Sequence, residues 1–532
     1  MSLRRRLLWL FPLCSLSAGC VAEPPSSPVG DERSVRDNPS VGHFPGDGPL
    51  AGGALAGDGG VADAGTDVVT VSASIRYLTA SGLTTLPGQL ASVPQLLVPQ
   101  GDGTFVTVNG TLDASGSYVF SNIPKGTYYL KNGTGYVVTD ARAVDVGYDQ
   151  LGRSDAVRLT GVTSTSLNFN LANLSAWDPG AGFQMSSGEV DLMGAASLDV
   201  FPATGATALI GSGRLDNYTG EMPRFEAAKG DRAWVTQFST QDAGTLPDGG
   251  TLKYTAVTRG LNLPAFSFDG GSPISVQGTM VDPPRTTIPF EWRMSSYAAQ
   301  SASVHPQAAG YYSDLYVLPA AHGLANGWIG YSGELLTLDV PPNTGDLVRR
   351  VSFGNPYPST WGVVGEVSHG FRVDVVVPGF NPTSAYGYLT EMDQLDRMIA
   401  SPISLHLSPP RELTVDGVSA YISRMVGSVS PVIAWKPPAI GVPTAGYSVR
   451  LNKYSRTTPT SLNLKRTRMA TFYVGPSATE VRLPPGVLEP ATSYVVEVVA
   501  MSGAGDVSRA PYFVDVLPQY RASALTSVFF TP

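Results

Sequence analysis

Short runs in which apolar and polar residues alternate recur along this chain, and a period of two is the pattern of a half-buried β-strand. Ser166–Leu171, Ala233–Phe238, Leu252–Thr258, Leu335–Val340 and Arg372–Val377 all read this way. Turn sequences such as Pro247-Asp248-Gly249-Gly250 and Asn343-Thr344-Gly345 separate them. With 59 Gly and 43 Pro to break elements and only 15% charged residues, the chain reads as all-β rather than as an α/β enzyme. Its 532 residues are enough for three to five domains at roughly 100–200 residues each. One helix is expected, over Thr390–Ala400, where Leu389, Met392, Leu395 and Ile399 share a face.

The amino terminus carries an address. Arg4, Arg5 and Arg6 precede an apolar run from Leu7 to Leu16, followed by Ser17, Ala18, Gly19 and Cys20. That order is a secretory signal. Ala18-Gly19-Cys20 also resembles the bacterial lipobox, with Ser17 where that motif usually has Leu. The resemblance implies removal of residues 1–19 and acylation of Cys20. The other cysteine, Cys14, would leave with the signal. No other stretch approaches 18 apolar residues, so the lipid would be the membrane attachment. Val21, in place of Asp after the cysteine, points by family analogy to the outer membrane. Residues 20–67 are rich in Pro, Gly, Ala and Asp without apolar periodicity, and are expected to form a disordered tether.

A first folded module is expected over 68–160. Within it, Thr111–Leu130 reads TLDASGSYVFSNIPKGTYYL. Asp113–Gly116 is a turn, Tyr118 and Phe120 share a strand face, and Ile123-Pro124-Lys125-Gly126 suits a type I turn. Tyr128 and Leu130 would begin the return strand of a hairpin. Asp113, Gly116, Tyr118, Phe120, Ile123, Gly126, Tyr128 and Leu130 resemble the signature of carboxypeptidase regulatory-like and Cna-B-like domains. The resemblance implies a small prealbumin-like sandwich and says little about activity. Arg76 on the first strand, in place of Lys, implies no isopeptide crosslink.

A last module is expected over 408–517, with 518–532 as a C-terminal tail. Pro431–Pro438 places Trp435 on a strand ending in prolines, and Leu488, Pro490, Thr492, Tyr494, Val496, Val498 and Ala500 follow in alternation. These residues resemble a fibronectin type III domain, which implies a sandwich with a buried Trp435 and a tyrosine corner at Tyr494. Residues 161–290 and 291–407 are expected to be two further β domains of unassigned type, the second ending in the helix.

Net charge is −8, and no basic run follows the first residues, so nucleic-acid binding has no electrostatic footprint. His305, His322, His369 and His406 lack metal-ligand spacing, and no cofactor or metal is expected. Ser332-Gly333-Glu334 with His322 lacks a nucleophile-elbow motif, and no catalytic residue is assigned. Glu189, Glu221, Glu291, Glu334 and Glu366 leave a glycosidase pair open. Trp328 and Trp361, in Gly- and Pro-rich loop sequence, are candidates for stacking on sugars. The favoured expectation is a non-catalytic, envelope-anchored protein that binds or scaffolds proteins or envelope polymers. The alternatives are a carbohydrate-binding protein, and a polysaccharide or peptide hydrolase with its site in 161–407.

Overall fold

The structure, a computed structural model, describes residues 67–90, 92–324, 332–503, 506–511 and 516–532. The expected signal, Cys20 and nearly all of the tether lie outside the described residues, as does Trp328. The described chain is built of strands with a few single helical turns, so the all-β sandwich expectation holds.

The first module is a two-sheet sandwich. One sheet runs Ala143–Asp145, Val69–Ser72, Tyr118–Phe120, Thr111–Leu112; the other runs Phe105–Asn109, Gln95–Pro99, Tyr128–Asn132, Gly135–Thr139. Val69, Val71, Leu96, Phe120, Ile123, Tyr128 and Leu130 fill the space between them. The expected hairpin is corrected by this pairing. Tyr118–Phe120 and Tyr128–Asn132 belong to opposite sheets, and the intervening chain is an arch across the core. Alternation told which residues face inward but not which strands pair. The arch needs Gly126 at φ 114°, a conformation L side chains rarely adopt, and it drops Ile123 between the sheets. Asp113 shapes the preceding turn by accepting N–H bonds from Ser115 (2.8 Å) and Ser117 (3.0 Å). Arg76 forms a two-pronged ion pair with buried Asp149 on the neighbouring parallel strand.

The middle divides a little earlier than expected. Seven strands form one sheet in the order Ile274–Thr279, Ser164–Ala172, Ala208–Asn217, Leu192–Leu198, Gly182–Ser187, Ala233–Thr245, Thr251–Leu263. A bridge between Gly260 and Val281 brings its two ends together. Phe169, Trp177, Phe183, Leu215 and Val276 form a core of their own. The boundary at 290/291 cuts a strand. Arg285–Trp292 pairs along its length with Leu347–Gly354 and belongs to the next region. There, Ala309–Ala320 lies between Leu336–Val340 and Gly362–Val375, and Thr383–Gln394 follows.

The expected helix over Thr390–Ala400 is also corrected. Only Leu395–Met398 is helical, and Leu389 to Gln394 continue the strand Thr383–Gln394. Leu389 and Met392 point to opposite faces of that strand. Both are buried because the sheet is covered on both sides there, and a strand buried on both faces loses its period of two.

The last module has the strand pairing of a fibronectin type III-like sandwich. Val418–Ser419, Arg411–Val415, Val432–Lys436 and Glu480–Arg482 make one sheet; Leu464–Val474, Gly446–Arg456, Ser493–Ser502 and Gln519–Leu525 make the other. The expected tail is therefore corrected, since Phe529–Phe530 pairs with Ser493 and Tyr494, and Gln519–Leu525 before it is an edge strand of the sandwich. Its small residues Ala522, Ser523 and Ala524 hid it from a search for bulky alternation. Trp435 is 3% exposed and meets Tyr447 with ring centroids 5.2 Å apart. The Tyr494 hydroxyl accepts the backbone N–H of Glu489 at 2.8 Å, closing the corner.

These modules are joined edge to edge. Thr255 and Ala256 pair with Thr337 and Leu336, linking the two middle sheets. Leu389–Met392 pairs with Gln519–Ala522, linking the middle to the last module. Gly135–Val138 pairs in parallel with Thr471–Val474, linking the last module back to the first. Arg153, leaving the first module, binds Asp231 (2.9 Å) and Glu226 (2.8 Å) of the seven-stranded region. Each module thus touches the next, and the last touches the first.

Trp435→Ala removes buried aromatic surface and should cost about 3–5 kcal/mol. Tyr494→Phe removes only the hydroxyl and should cost about 1–2 kcal/mol. Denaturant melts of the whole chain measure both. A Trp435→Ala variant as stable as the parent would contradict the packing described.

Candidate functional site

Two of the histidines serve as neutral packing groups. His305 is fully buried; its Nε2 lies 3.0 Å from the Ser527 hydroxyl, and its Nδ1 accepts the Gln307 N–H at 3.0 Å. His369 pairs Nδ1 with the Ser313 hydroxyl at 2.8 Å and stacks on Tyr297. Burial pushes the pKa of each down to about 4.

The pieces of a hydrolase, His322 and Ser332-Gly333-Glu334, lie where the second middle region meets Gln184 of the first. His322 and Ser332 are buried. The Glu334 carboxylate accepts the Thr337 hydroxyl at 2.6 Å, and its backbone brackets the Gln184 amide at 2.7 and 3.1 Å. The five candidate glutamates fall on five different segments. Glu189 accepts from Ser187, Glu221 takes the Gly161 N–H at 2.6 Å, and Glu291 pairs with Arg293. Glu366 is buried within Gly362–Val375. Among the described residues no group of three or more His, Cys, Asp or Glu side chains is placed to hold a metal ion.

Trp361 is corrected as an exposed stacking platform. It is 8% exposed, and Tyr357 lies parallel to it at 4.4 Å and 11°. Trp234 meets both rings edge-on, at 5.6 Å from Tyr357 and 6.5 Å from Trp361. The Tyr357 hydroxyl sits 3.1 Å from that of Ser186. This aromatic cluster joins the two middle regions, and one face of the indole is already taken by Tyr357. Loop-like sequence around Trp361 gave no sign of a partner more than a hundred residues upstream.

The arrangement with the most chemical character is one that sequence reasoning did not assemble. His406, in the connection to the last module, is half-exposed. Its Nδ1 lies 2.8 Å from one oxygen of the buried Glu391 carboxylate, and its backbone N–H donates to the other oxygen at 2.7 Å. Its ring packs on Tyr520 at 5.0 Å. Tyr520 and Glu391 are themselves paired across the seam between the middle and the last module. The hydrogen bond His406 makes to the Glu391 carboxylate, opposed by partial burial, raises the His406 pKa. Burial, with Glu391 and Asp393 nearby, pushes Tyr520 up to about 12. A carboxylate that orients a histidine is an acid–base element. Here both oxygens of that carboxylate are engaged by a single residue, and the geometry is that of a clamp on the seam.

The buried histidines give a pH dependence with a definite sign. Their folded pKa values lie below the ordinary 6.5. The unfolded chain therefore binds more protons, and stability falls as pH drops from about 6.5 to about 4. His305→Gln and His369→Gln should each flatten that part of the melting-temperature curve, whatever their effect on absolute stability. Curves parallel to the parent's between those pH values would contradict the burial of neutral imidazoles.

No family model matches the chain, and no curated protein matches it. Among solved structures, the crystal structure of chicken CNTN1 FN1–FN3 domains aligns over 71% of this chain and 98% of that chain. The identity is 11% and the TM-score 0.12, too loose a superposition to carry any inference.

Proposed function

We propose that this chain is a non-catalytic, lipid-anchored cell-envelope protein, a scaffold that presents a fixed β surface to envelope proteins or polymers. The observation that carries this reading is the edge-to-edge joining of the modules, which holds four β modules in set positions. A catalytic reading finds less support. Both oxygens of Glu391 are engaged by His406, and Glu334 is committed to Thr337 and Gln184.

The lipid anchor rests on Ala18-Gly19-Cys20 after an apolar run. The first module is proposed as a carboxypeptidase regulatory-like domain. In support, Gly116 and Gly126 occupy positive-φ positions, and Phe120, Ile123, Tyr128 and Leu130 are core residues. A signature of that kind sustains a sandwich and brings no active site with it.

The test has two arms on the same protein. Growth with a fatty-acid analogue should label the parent and leave Cys20→Ser unlabelled. A panel of glycans, esters and peptides should show no hydrolysis. Equal labelling of parent and variant contradicts the anchor. Turnover abolished by Glu334→Gln or His322→Asn contradicts the non-catalytic reading.

A further inference from the structure

The paired strands of the first module end at Phe105–Asn109, whose only strand partner among the described residues is Gln95–Pro99. The opposite edge of that sheet, Gly135–Thr139, is taken by the last module. Three inter-strand steps separate the two edges, ~14 Å at the usual spacing.

The connection Gly101–Gly103 settles which backbone groups face outward. Gln100 N–H donates to the Thr104 carbonyl at 2.8 Å, and Gly103 N–H, at φ 84°, donates to the Gln100 carbonyl at 3.0 Å. Opposed residues of an antiparallel pair alternate between bonded and non-bonded. Val98–Val106 and Leu96–Val108 are therefore the bonded pairs. The amides and carbonyls of Phe105, Thr107 and Asn109 point away from the sheet. Val106 is 50% exposed, and Thr107 and Asn109 are exposed as well.

Natural edges of this kind are guarded by a charge, a proline or a bulge. Thr104 to Leu112 reads TFVTVNGTL, with neither a charge nor a proline, and its pairing with Gln95–Pro99 is regular. Among the described residues no strand covers this edge, and it is open to another strand.

We propose that Phe105–Asn109 is a self-association edge, where a second copy of this chain adds the same strand antiparallel across a twofold axis through Thr107. The sequence chooses the occupant. Val106-Thr107-Val108 reads the same in both directions. With the axis at Thr107, the outward groups of Phe105 meet those of Asn109 of the second copy, and Thr107 meets Thr107. Val106 then opposes Val108 twice on the other face. Outward groups meet outward groups, so the ladder closes, and β-branched and Thr–Thr pairs are favourable cross-strand neighbours. Two chains of net charge −8 bring no like charges together on this edge. The chain already joins its own modules by pairing sheet edges at three places, and this pairing continues that mode outward. An isologous contact of this kind stops at two copies. Five residues per strand bury less than the ~800 Å² per partner of a standard stable interface, so the dimer is weak and concentration-dependent.

Residues 21–532 contain every described residue and no cysteine, since the two cysteines are Cys14 and Cys20. Sedimentation of this chain from micromolar to millimolar concentration should show monomer giving way to dimer. Thr107→Lys puts two like charges on the axis and should weaken the dimer at least ~10-fold. Oxidative cross-linking reads the register. Val106→Cys mixed with Val108→Cys should form a disulfide faster than either variant alone, because non-bonded antiparallel pairs bring their side chains closest. This arm stays decisive should Thr107→Lys fail to fold. A parent that is monomeric throughout, a Thr107→Lys dimer as strong as the parent's, or Val106→Cys cross-linking equally well with itself would each overturn the proposal.

Discussion

An amide or carbonyl on the edge of a sheet must be paired, covered or left to water, and an open edge invites another strand. The four-stranded sheet of the last module is paired on both edges, at Thr471–Val474 and at Gln519–Ala522. Leu464–Val474 on one side is met by Gly135–Thr139 of the first module, and Gln519–Leu525 on the other by Thr383–Gln394 of the middle. This double pairing is the constraint from which the rest of the architecture follows. It turns a chain of successive sandwiches into a closed circuit, and it makes the last module the piece on which the others close.

Side chains repeat what the backbone does at these joints. Tyr136 stacks on Phe472 at 4.6 Å across the parallel pair, and the Tyr129 hydroxyl accepts the Arg482 N–H at 3.2 Å. The core of the first module takes in Tyr473, Val499, Met501 and Val507 from the last. The second middle region and the last module share one hydrophobic cluster, from Trp292 and Tyr297 to Trp435 and Tyr494. At the middle seam His406 clamps Glu391 against Tyr520. Some buried polar groups serve the same joints, His305 lying 3.0 Å from the Ser527 hydroxyl and Gln184 bonding the Glu334 backbone. Loss of one module should expose apolar faces and strand edges of its neighbours, and that ties the stability of each to the circuit.

What was legible in the sequence is what local pattern can encode. Period-two alternation placed Ser166–Leu171 and its like, and the resemblance carried by the residues around Trp435 and Tyr494 implied the last sandwich, down to the hydroxyl that closes its corner. Pairing was not legible. Tyr118–Phe120 and Tyr128–Asn132 looked like hairpin arms because alternation fixes facing, not partners. Leu389, Met392 and Leu395 imitated a helix because a strand buried on both faces loses its alternation. Gln519–Leu525 reads as tail because Ala and Ser pack closely without bulk. His406 and Glu391 lie 15 residues apart, but their contact depends on a strand supplied from the far end of the chain. Trp361 could not be read as buried without Tyr357 and Trp234 brought against it. The misses at Trp361 and His406 share an origin, a contact held together by residues of a different module.

Native-state hydrogen exchange on the whole chain tests the circuit most directly. If the modules are closed through their edges, amides of Gly135–Thr139, Thr471–Val474, Leu389–Met392 and Gln519–Ala522 that bond across a seam exchange as slowly as those between Gly446–Arg456 and Ser493–Ser502 inside the last sandwich. Seam amides that exchange at the rate of a free edge, while the sandwich interiors stay protected, would show independent modules on a string and contradict the closed arrangement.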